Sequence, residues 1–250
     1  MNSKTLAVIV LAAGKGTRMK SSLAKVLQPL KNQPLLYYVL ESLVPLNPHV
    51  SVLVIGFQSE VVKKTFTDRG LIFVEQKEQL GTGHAAQQAK LALNDFSGDI
   101  LVVCGDMPLI KSKTLIELVK KHRDKESACT VLTLKSSEKK DFGLVIRDEQ
   151  GAVSKIVEHK DASEEEKKVD EFNSGVYCFD KYLFLKALNA INNNNIQKEY
   201  YLTDTIEYIV KSGSVVETLQ IADSTQLLGI NTPEDLFLAE KILTDKIRSF

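Results

Sequence analysis

The sequence predicts an α/β protein: a central, mostly parallel sheet flanked by helices, with a smaller mixed β region in its second half. Three observations support this. Short apolar runs alternate with helical patterns through the first half, as successive strand and crossover-helix units require. A glycine-rich cationic loop directly follows the first apolar run. Past residue 130 the pattern changes to short strands separated by polar turns.

The first strand is expected over residues 6–11. A helix follows over 34–43, where Leu35, Leu36, Val39, Leu40 and Leu43 share one face and Pro34 suits the first turn. Three strand–helix pairs come next: 50–55 with 59–66, 71–74 with 83–93, and 100–104 with 114–122. Residues 130–134, 144–147, 153–157 and 172–179 read as the later strands, and Asp180 reads as the N-cap of a helix beginning at Lys181. The segments 163–168 and 192–195 are solvated loops or helix edges. A last helix over 233–247 buries Leu236, Ala239, Ile242 and Leu243.

Composition narrows the function. A chain of 250 residues with 44% hydrophobic side chains can bury a sizeable core without disulfides. Lys+Arg 32 balances Asp+Glu 32, so overall charge points to neither nucleic acid nor a membrane surface as the main partner. An odd count of three cysteines, Cys104, Cys129 and Cys178, argues against a disulfide framework and for buried free thiols in a reducing compartment. The apolar run 6–10 is too short to cross a bilayer, and the loop after it is a poor cleavage site, so a cytoplasmic protein is expected.

The chemistry starts in that loop, Leu11-Ala12-Ala13-Gly14-Lys15-Gly16-Thr17-Arg18-Met19. Glycines let backbone N–H groups turn toward an anion, and Lys15, Arg18 and the later Lys25 add positive charge. Met19 stands where both a dinucleotide fingerprint and a Walker A loop need glycine, and no acid lies about twenty residues on to hold a ribose. On the glycines alone, a plain strand-to-helix turn fits as well as a phosphate site. The cations favour phosphate, and a nucleoside triphosphate as the ligand.

Asp106 follows the apolar run 100–104 and Gly105, so it lies past the carboxyl end of a strand, where open parallel sheets bind ligands. A carboxylate facing a phosphate loop could hold Mg²⁺. It could equally form a turn ahead of Met107-Pro108. The four histidines, His49, His84, His122 and His159, never pair at ligand spacing, and neither a serine nor a cysteine nucleophile motif is present. His84 reads as a packing or capping residue.

With these residues on the page, the sequence closely resembles the uridylyltransferase domain of the bacterial N-acetylglucosamine-1-phosphate uridylyltransferases. The resemblance spans nearly the whole chain. It rests on the 11–19 loop with Lys25, Glu78-Gln-Leu-Gly-Thr-Gly-His-Ala85, Gly105-Asp-Met-Pro-Leu-Ile110 and Phe142-Gly143. Further motifs are Val157-Glu-His-Lys-Asp-Ala162, Asn173-Ser-Gly175, Glu199-Tyr-Tyr-Leu-Thr-Asp204 and Gly229-Ile-Asn231. The first motif is common to many sugar nucleotidylyltransferases; the segments 158–162 and 199–204 are more particular.

The resemblance implies a Rossmann-like nucleotidyltransferase fold in a single domain over 1–250. Its nucleotide-binding part would cover about 1–135 and its sugar-binding part about 136–232, with the helix 233–247 last. It implies that Leu11, Ala12, Ala13, Gly14, Lys15, Gln76, Gly81, Thr82, Cys104 and Gly105 surround the nucleotide. Arg18 and Lys15 would hold the departing pyrophosphate, and Lys25 the phosphate under substitution. Asp106 and Asn231 would bind Mg²⁺, and Gly143, Glu158 and Asn173 the sugar. Thr203 is either a further contact or the cap of the helix that follows.

The implied reaction joins UTP and N-acetylglucosamine 1-phosphate into UDP-N-acetylglucosamine and pyrophosphate, for cell-envelope precursor synthesis. Two alternatives stay open here: a related nucleotidylyltransferase for another sugar phosphate or base, and a non-catalytic regulatory subunit of the same fold. Two departures from the family stand out. Ala24 replaces the proline usual before the lysine, and the family's acetyltransferase domain, a left-handed β-helix of hexapeptide repeats, is not in these 250 residues. The chain is therefore expected to be either a piece of a longer protein or a stand-alone pyrophosphorylase. The oligomeric state stays open, because the family makes its trimer through that second domain.

Overall fold

β-Branched and aliphatic residues dominate β1 (Leu6–Ala12), and the strand is buried along nearly its whole length. In the computed structural model, which describes residues 4–137 and 142–248, it is followed by β2 (Pro29–Leu30), β3 (Gln33–Pro34), α1 (Leu35–Leu43), β4 (Val50–Ile55), α2 (Ser59–Thr65), β5 (Ile72–Glu75) and α3 (Thr82–Gln88). Next come β6 (Asp99–Cys104), α4 (Ser112–Asp124), β7 (Cys129–Lys135), β8 (Leu144–Arg147), β9 (Val153–Val157), β10 (Glu171–Asp180), α5 (Lys181–Ala190), α6 (Asp204–Lys211), β11 (Val216–Ile221) and α7 (Pro233–Arg248).

The main sheet runs β11-β7-β10-β6-β1-β4-β5, with β8 and β9 joined to it through β10. β1 lies between β4 and β6 and parallel to both, with Leu11 opposite Val54 and Cys104. β10 is antiparallel to β6 and to β7, and β11 is parallel to β7. The expected mostly parallel sheet is therefore present, with β10 reversed inside it and β8 and β9 paired antiparallel beside β10.

Strand geometry sends successive side chains to opposite faces. Ala7 and Ile9 pack with Ala85 and Ala86 of α3, Phe184 and Leu188 of α5, and Ile206 of α6. Val8 and Val10 pack with Leu36 and Val39 of α1 and Leu115 and Leu118 of α4. Burial on both faces explains why these strands read as unbroken apolar runs. A third cluster seats α7: Ala239, with Leu236, Ile242 and Leu243, covers Met19, Leu30, Leu35 and Leu109.

Several boundaries differ from those expected. Pro34 pairs in β3 and caps α1 from outside with ψ 149°, so it is not in the helix's first turn. α2 stops at Thr65 because Phe66 leaves helical geometry (φ −120°). β5 starts one residue later than expected, after the left-handed Gly70. The helix expected over 83–93 starts at Thr82, ends at Gln88, and gives way to a 3₁₀ turn over Leu91–Leu93. β11 was not expected at all: only Val216 of its six residues is buried, so it has no apolar run to betray it. Asp180 does cap α5, its carboxylate accepting from the Leu183 N–H.

At the opposite end of the sheet from the strands' carboxyl ends, Asp99 opens β6 with its side chain wholly buried. Arg123 of α4 donates from Nε to Oδ2 at 2.7 Å and from Nη2 to the Lys4 carbonyl at 2.6 Å, tying the entries of β1 and β6 to α4. Oδ1 has no hydrogen bond among the described residues; Lys4 Nζ and His122 Nε2 each lie 3.7 Å away. Burial alone would raise the pKa of Asp99, yet His122 and Arg123 outweigh it and hold the group below its ordinary 3.8. A lowered carboxyl stabilises the fold in full above the unfolded value and loses that contribution as pH falls through the lower, folded one. Arg123→Ala is predicted to cost about 3 kcal/mol in urea unfolding, and to flatten the decline in stability below pH 3.8.

Candidate active site

The parallel strands β1, β4, β5 and β6 end on one rim, and the segments leaving them carry most of the candidate residues. Leu11, Ala12, Ala13 and Gly14 from β1, Gln76 after β5, Gly81 and Thr82 at α3, and Cys104 and Asp106 from β6 line a cleft of about 300 Å³. Lys25 reaches it from the loop before β2. Gly105 lies beneath, its N–H donating to the Leu11 carbonyl at 2.9 Å and locking the two strand ends together. Val26, Gln79, Ala85 and Glu199 also line the cleft. Of these, Gln79, Ala85 and Glu199 sit within or at the edge of the quoted motifs, but only the folded chain shows them facing this space.

The glycine loop has a specific packing role. Gly16 is left-handed (φ 68°), and a Cβ there would lie 2.6 Å from Lys25 Cβ. It thus lets the Lys25 backbone approach the loop closely. Lys15 and Arg18 are exposed.

Lys25 is the electrostatic centre. Its ammonium pairs with the Asp106 carboxylate and donates to Asn231 Oδ1 at 3.1 Å. Arg18 Nη2 donates to the same Asn231 oxygen at 3.1 Å. Asn231, far away in sequence, is brought here by two features. The Ile230 N–H donates to the Asp106 carbonyl at 2.9 Å. The Asn231 and Thr232 N–H groups both donate to the Asp235 carboxylate at 2.9 Å, and the Asp235 N–H donates back to the Thr232 hydroxyl, fixing the start of α7.

Gln76 is 4% exposed and its Nε2 donates to the Gly81 carbonyl at 3.0 Å, with His84 Nδ1 at 3.1 Å. His84 also packs near the Tyr200 ring. Cys104 is half-buried and lines the cleft, so it is not the buried thiol expected, unlike Cys129 and Cys178. Burial, then the nearby Asp106 charge, pushes the Cys104 thiol up to about 12. It stays neutral and donates to the Gly175 carbonyl at 3.6 Å.

That contact leads to a second group of residues. The Asn173 N–H donates to the Gly143 carbonyl at 2.8 Å; its Oδ1 accepts from Gly175 N–H and its Nδ2 donates to the Tyr177 hydroxyl. Each side-chain atom keeps capacity for one more hydrogen bond. Glu158 lines a separate cavity of about 670 Å³ beside Asp161, Tyr201, Asp204 and Glu207. Thr203 stands at the N-cap position of α6, but its Oγ1 donates to Glu158 at 3.0 Å and accepts no bond from the helix. Leu202 N–H donates to Thr82 Oγ1, and Gly83 N–H to the Tyr200 carbonyl, joining this group to the cleft.

Known proteins match nearly the whole length of this chain. A family model described as nucleotidyl transferase matches residues 7–242. The chain belongs to that family. The transferase is 42% identical over 239 residues to the bifunctional protein GlmU of Bacillus subtilis, covering 96% of this chain and 52% of that one. It is 43% identical over 235 residues to the protein of that name from Enterococcus faecalis, covering 94% and 51%. It thus spans about half the length of the curated relatives it matches. Among its described residues, no helix is long and apolar enough to cross a membrane.

Four carboxylates, Glu158, Asp161, Asp204 and Glu207, line the second cavity of the transferase together with Lys155 and Lys211. Burial raises Glu158, opposed by the Thr203 bond and reinforced by Asp161 and Glu199. Burial, then Glu158, Glu207 and Asp161, pushes Asp204 from 3.8 up to about 6. Over that interval the folded chain keeps a proton that the unfolded chain has released, so stability falls as pH rises from about 4 to about 6. Asp204→Asn is predicted to be more stable than the parent at neutral pH by about 1 to 2 kcal/mol after allowing for partial solvent access, with the gain vanishing near pH 4. Urea unfolding across that pH range checks it.

Proposed function

We propose that this nucleotidyl transferase moves a uridylyl group from UTP to N-acetylglucosamine 1-phosphate, releasing pyrophosphate and supplying an activated sugar for cell-envelope precursors. One observation carries the reading. Lys25, Arg18, Asp106 and Asn231, from four separate stretches of chain, converge at the edge of a cleft lined by the glycine loop and Gln76. Two polyanions must meet in such a reaction, and cations placed where charge develops are what lower its barrier.

The residues divide the work. Gln76, Gly81 and Thr82 hold the base, with the backbone of residues 11–14, Cys104 and Gly105 around the nucleotide. Lys15 and Arg18 take the charge of the departing pyrophosphate. Lys25 draws electron density from the α-phosphate as the sugar-phosphate oxygen attacks in line. Gly143, Glu158, Asn173 and Thr203 hold the acetamido sugar, Glu158 and Thr203 as one hydrogen-bonded pair. Residues up to about 135 thus serve the nucleotide and residues 136–232 the sugar.

The donor set fits a magnesium ion. A carboxylate oxygen of Asp106 and the amide oxygen of Asn231 already share one cation, the Lys25 ammonium, and oxygen donors of this kind suit a hard divalent ion. When bound, the ion would neutralise phosphate charge beside these two residues. A release of Lys25 from Asp106 toward the substrate phosphate follows from the same chemistry.

A Mg²⁺-dependent pyrophosphate-release assay with UTP and N-acetylglucosamine 1-phosphate is expected to give turnover, and a panel of other nucleoside triphosphates and sugar phosphates much less. Equal turnover with another sugar phosphate would replace the acceptor named here. Lys25→Ala and Asp106→Asn are each predicted to lower kcat by about 10² to 10³ with the fold intact by circular dichroism. Unchanged turnover in either would remove its role, and no turnover in the parent would favour a regulatory subunit.

A further inference from the structure

Lys25 opens a single 3₁₀ turn (Lys25–Leu27) straight after an irregular loop, and a side chain there is only as well placed as the loop before it is held. The turn after β4 holds this one. Gln58 Oε1 accepts from the Ala24 N–H at 2.7 Å, and Gln58 Nε2 donates to the Ser22 carbonyl at 3.0 Å. One side chain therefore closes a two-bond clasp over residues 22–24, immediately before the lysine.

The neighbours of Gln58 grip the other cationic stretch. The Phe57 N–H donates to the Ala13 carbonyl at 3.4 Å, and the Phe57 ring lies 5.5 Å from Lys15 Nζ. Gly56 sits so close that a Cβ would lie 2.7 Å from the Ala13 oxygen. Gln58 itself is left-handed (φ 56°, ψ 37°), a backbone state that a glutamine occupies only at a cost. That geometry aims its amide across to residues 22–24 while its backbone starts α2.

Ala24 makes the clasp possible because it has an N–H to give. Its backbone (φ −53°, ψ 140°) is one that proline adopts readily, and a proline there would stiffen the loop while removing the donor. Ring and clasp are two ways to restrain the same residue.

We propose that Gln58 is a positioning residue for the transfer: it fixes residues 22–24 so that Lys25 is presented to Asp106, Asn231 and the reacting phosphate. The inference rests on the role of Lys25 proposed above. Because a displaced group loses most of its advantage in the transition state, the effect falls on kcat more than on substrate binding.

The test compares the parent, Gln58→Ala and the double variant Gln58→Ala with Ala24→Pro. Steady-state kinetics is read beside hydrogen–deuterium exchange over residues 18–26 in ligand-free protein. Gln58→Ala is expected to lower kcat about tenfold, to leave KM for UTP within about twofold, and to speed exchange in that segment. Ala24→Pro in the same background is expected to regain most of kcat and to slow exchange again. Parent-like kcat and exchange in Gln58→Ala would overturn the proposal. So would a defect that the proline leaves in place, or one that tracks a fall in the melting temperature of the whole protein. Absence of turnover in the parent would strike the proposed reaction instead, while the exchange rates would still judge the clasp.

Discussion

The pairing of Lys25 with Asp106, with Asn231 sharing the same ammonium, is the constraint around which the rest of this structure is arranged. A lysine and an aspartate that are largely withdrawn from water need each other, since either alone would be a poorly solvated charge. The fold meets that need by bringing four distant segments to one rim: the glycine loop, the 20s loop, the end of β6 and the start of α7. In the transfer proposed for this protein, the same charges that satisfy one another here would be redirected to a phosphate and a divalent ion.

Everything beneath that rim serves to hold it. β1, β4, β5 and β6 run parallel and end together, so loops from strands far apart in sequence meet at one edge, as ligand sites in open sheets do. At the opposite end, Arg123 and the buried Asp99 tie α4 to the entries of β1 and β6. β10, reversed against β6, brings Asn173 toward the rim from its own first residues and joins it through Gly175 to Cys104 in the cleft. The segment Glu199 to Asp204 completes the link, bonding to α3 on one side and to Glu158 on the other.

Much of this was legible beforehand. Strands buried on both faces announce themselves as apolar runs, so β1, β4 and β6 are legible to within one residue, and the glycine and lysine spacing marks a loop whose residues 11–14 line the cleft. The errors have a common cause. β11 is half-exposed along an edge, the helix after Gly81 ends at Gln88 and a separate 3₁₀ turn carries Leu93 into the core, and Pro34 belongs to a two-stranded ribbon whose partner is local but whose pairing is not written in its composition. Thr203 reads as a cap or as a contact from its position alone; only the folded chain shows its hydroxyl spent on Glu158 and not on the helix.

Local chemistry was set by the chain itself: where strands must be buried, where glycine permits close approach, and which side chains carry charge, hydrogen-bond donors or metal-compatible oxygens. These follow from backbone sterics and solvation, which act over a few residues. The folded molecule alone decided the partnerships: Asn231 with Lys25 across 206 residues, Gln58 with Ala24 across 34, and Thr203 with Glu158 across 45. Such pairs depend on strand order and helix docking, which come from packing summed over the whole core, so no short stretch of sequence contains them.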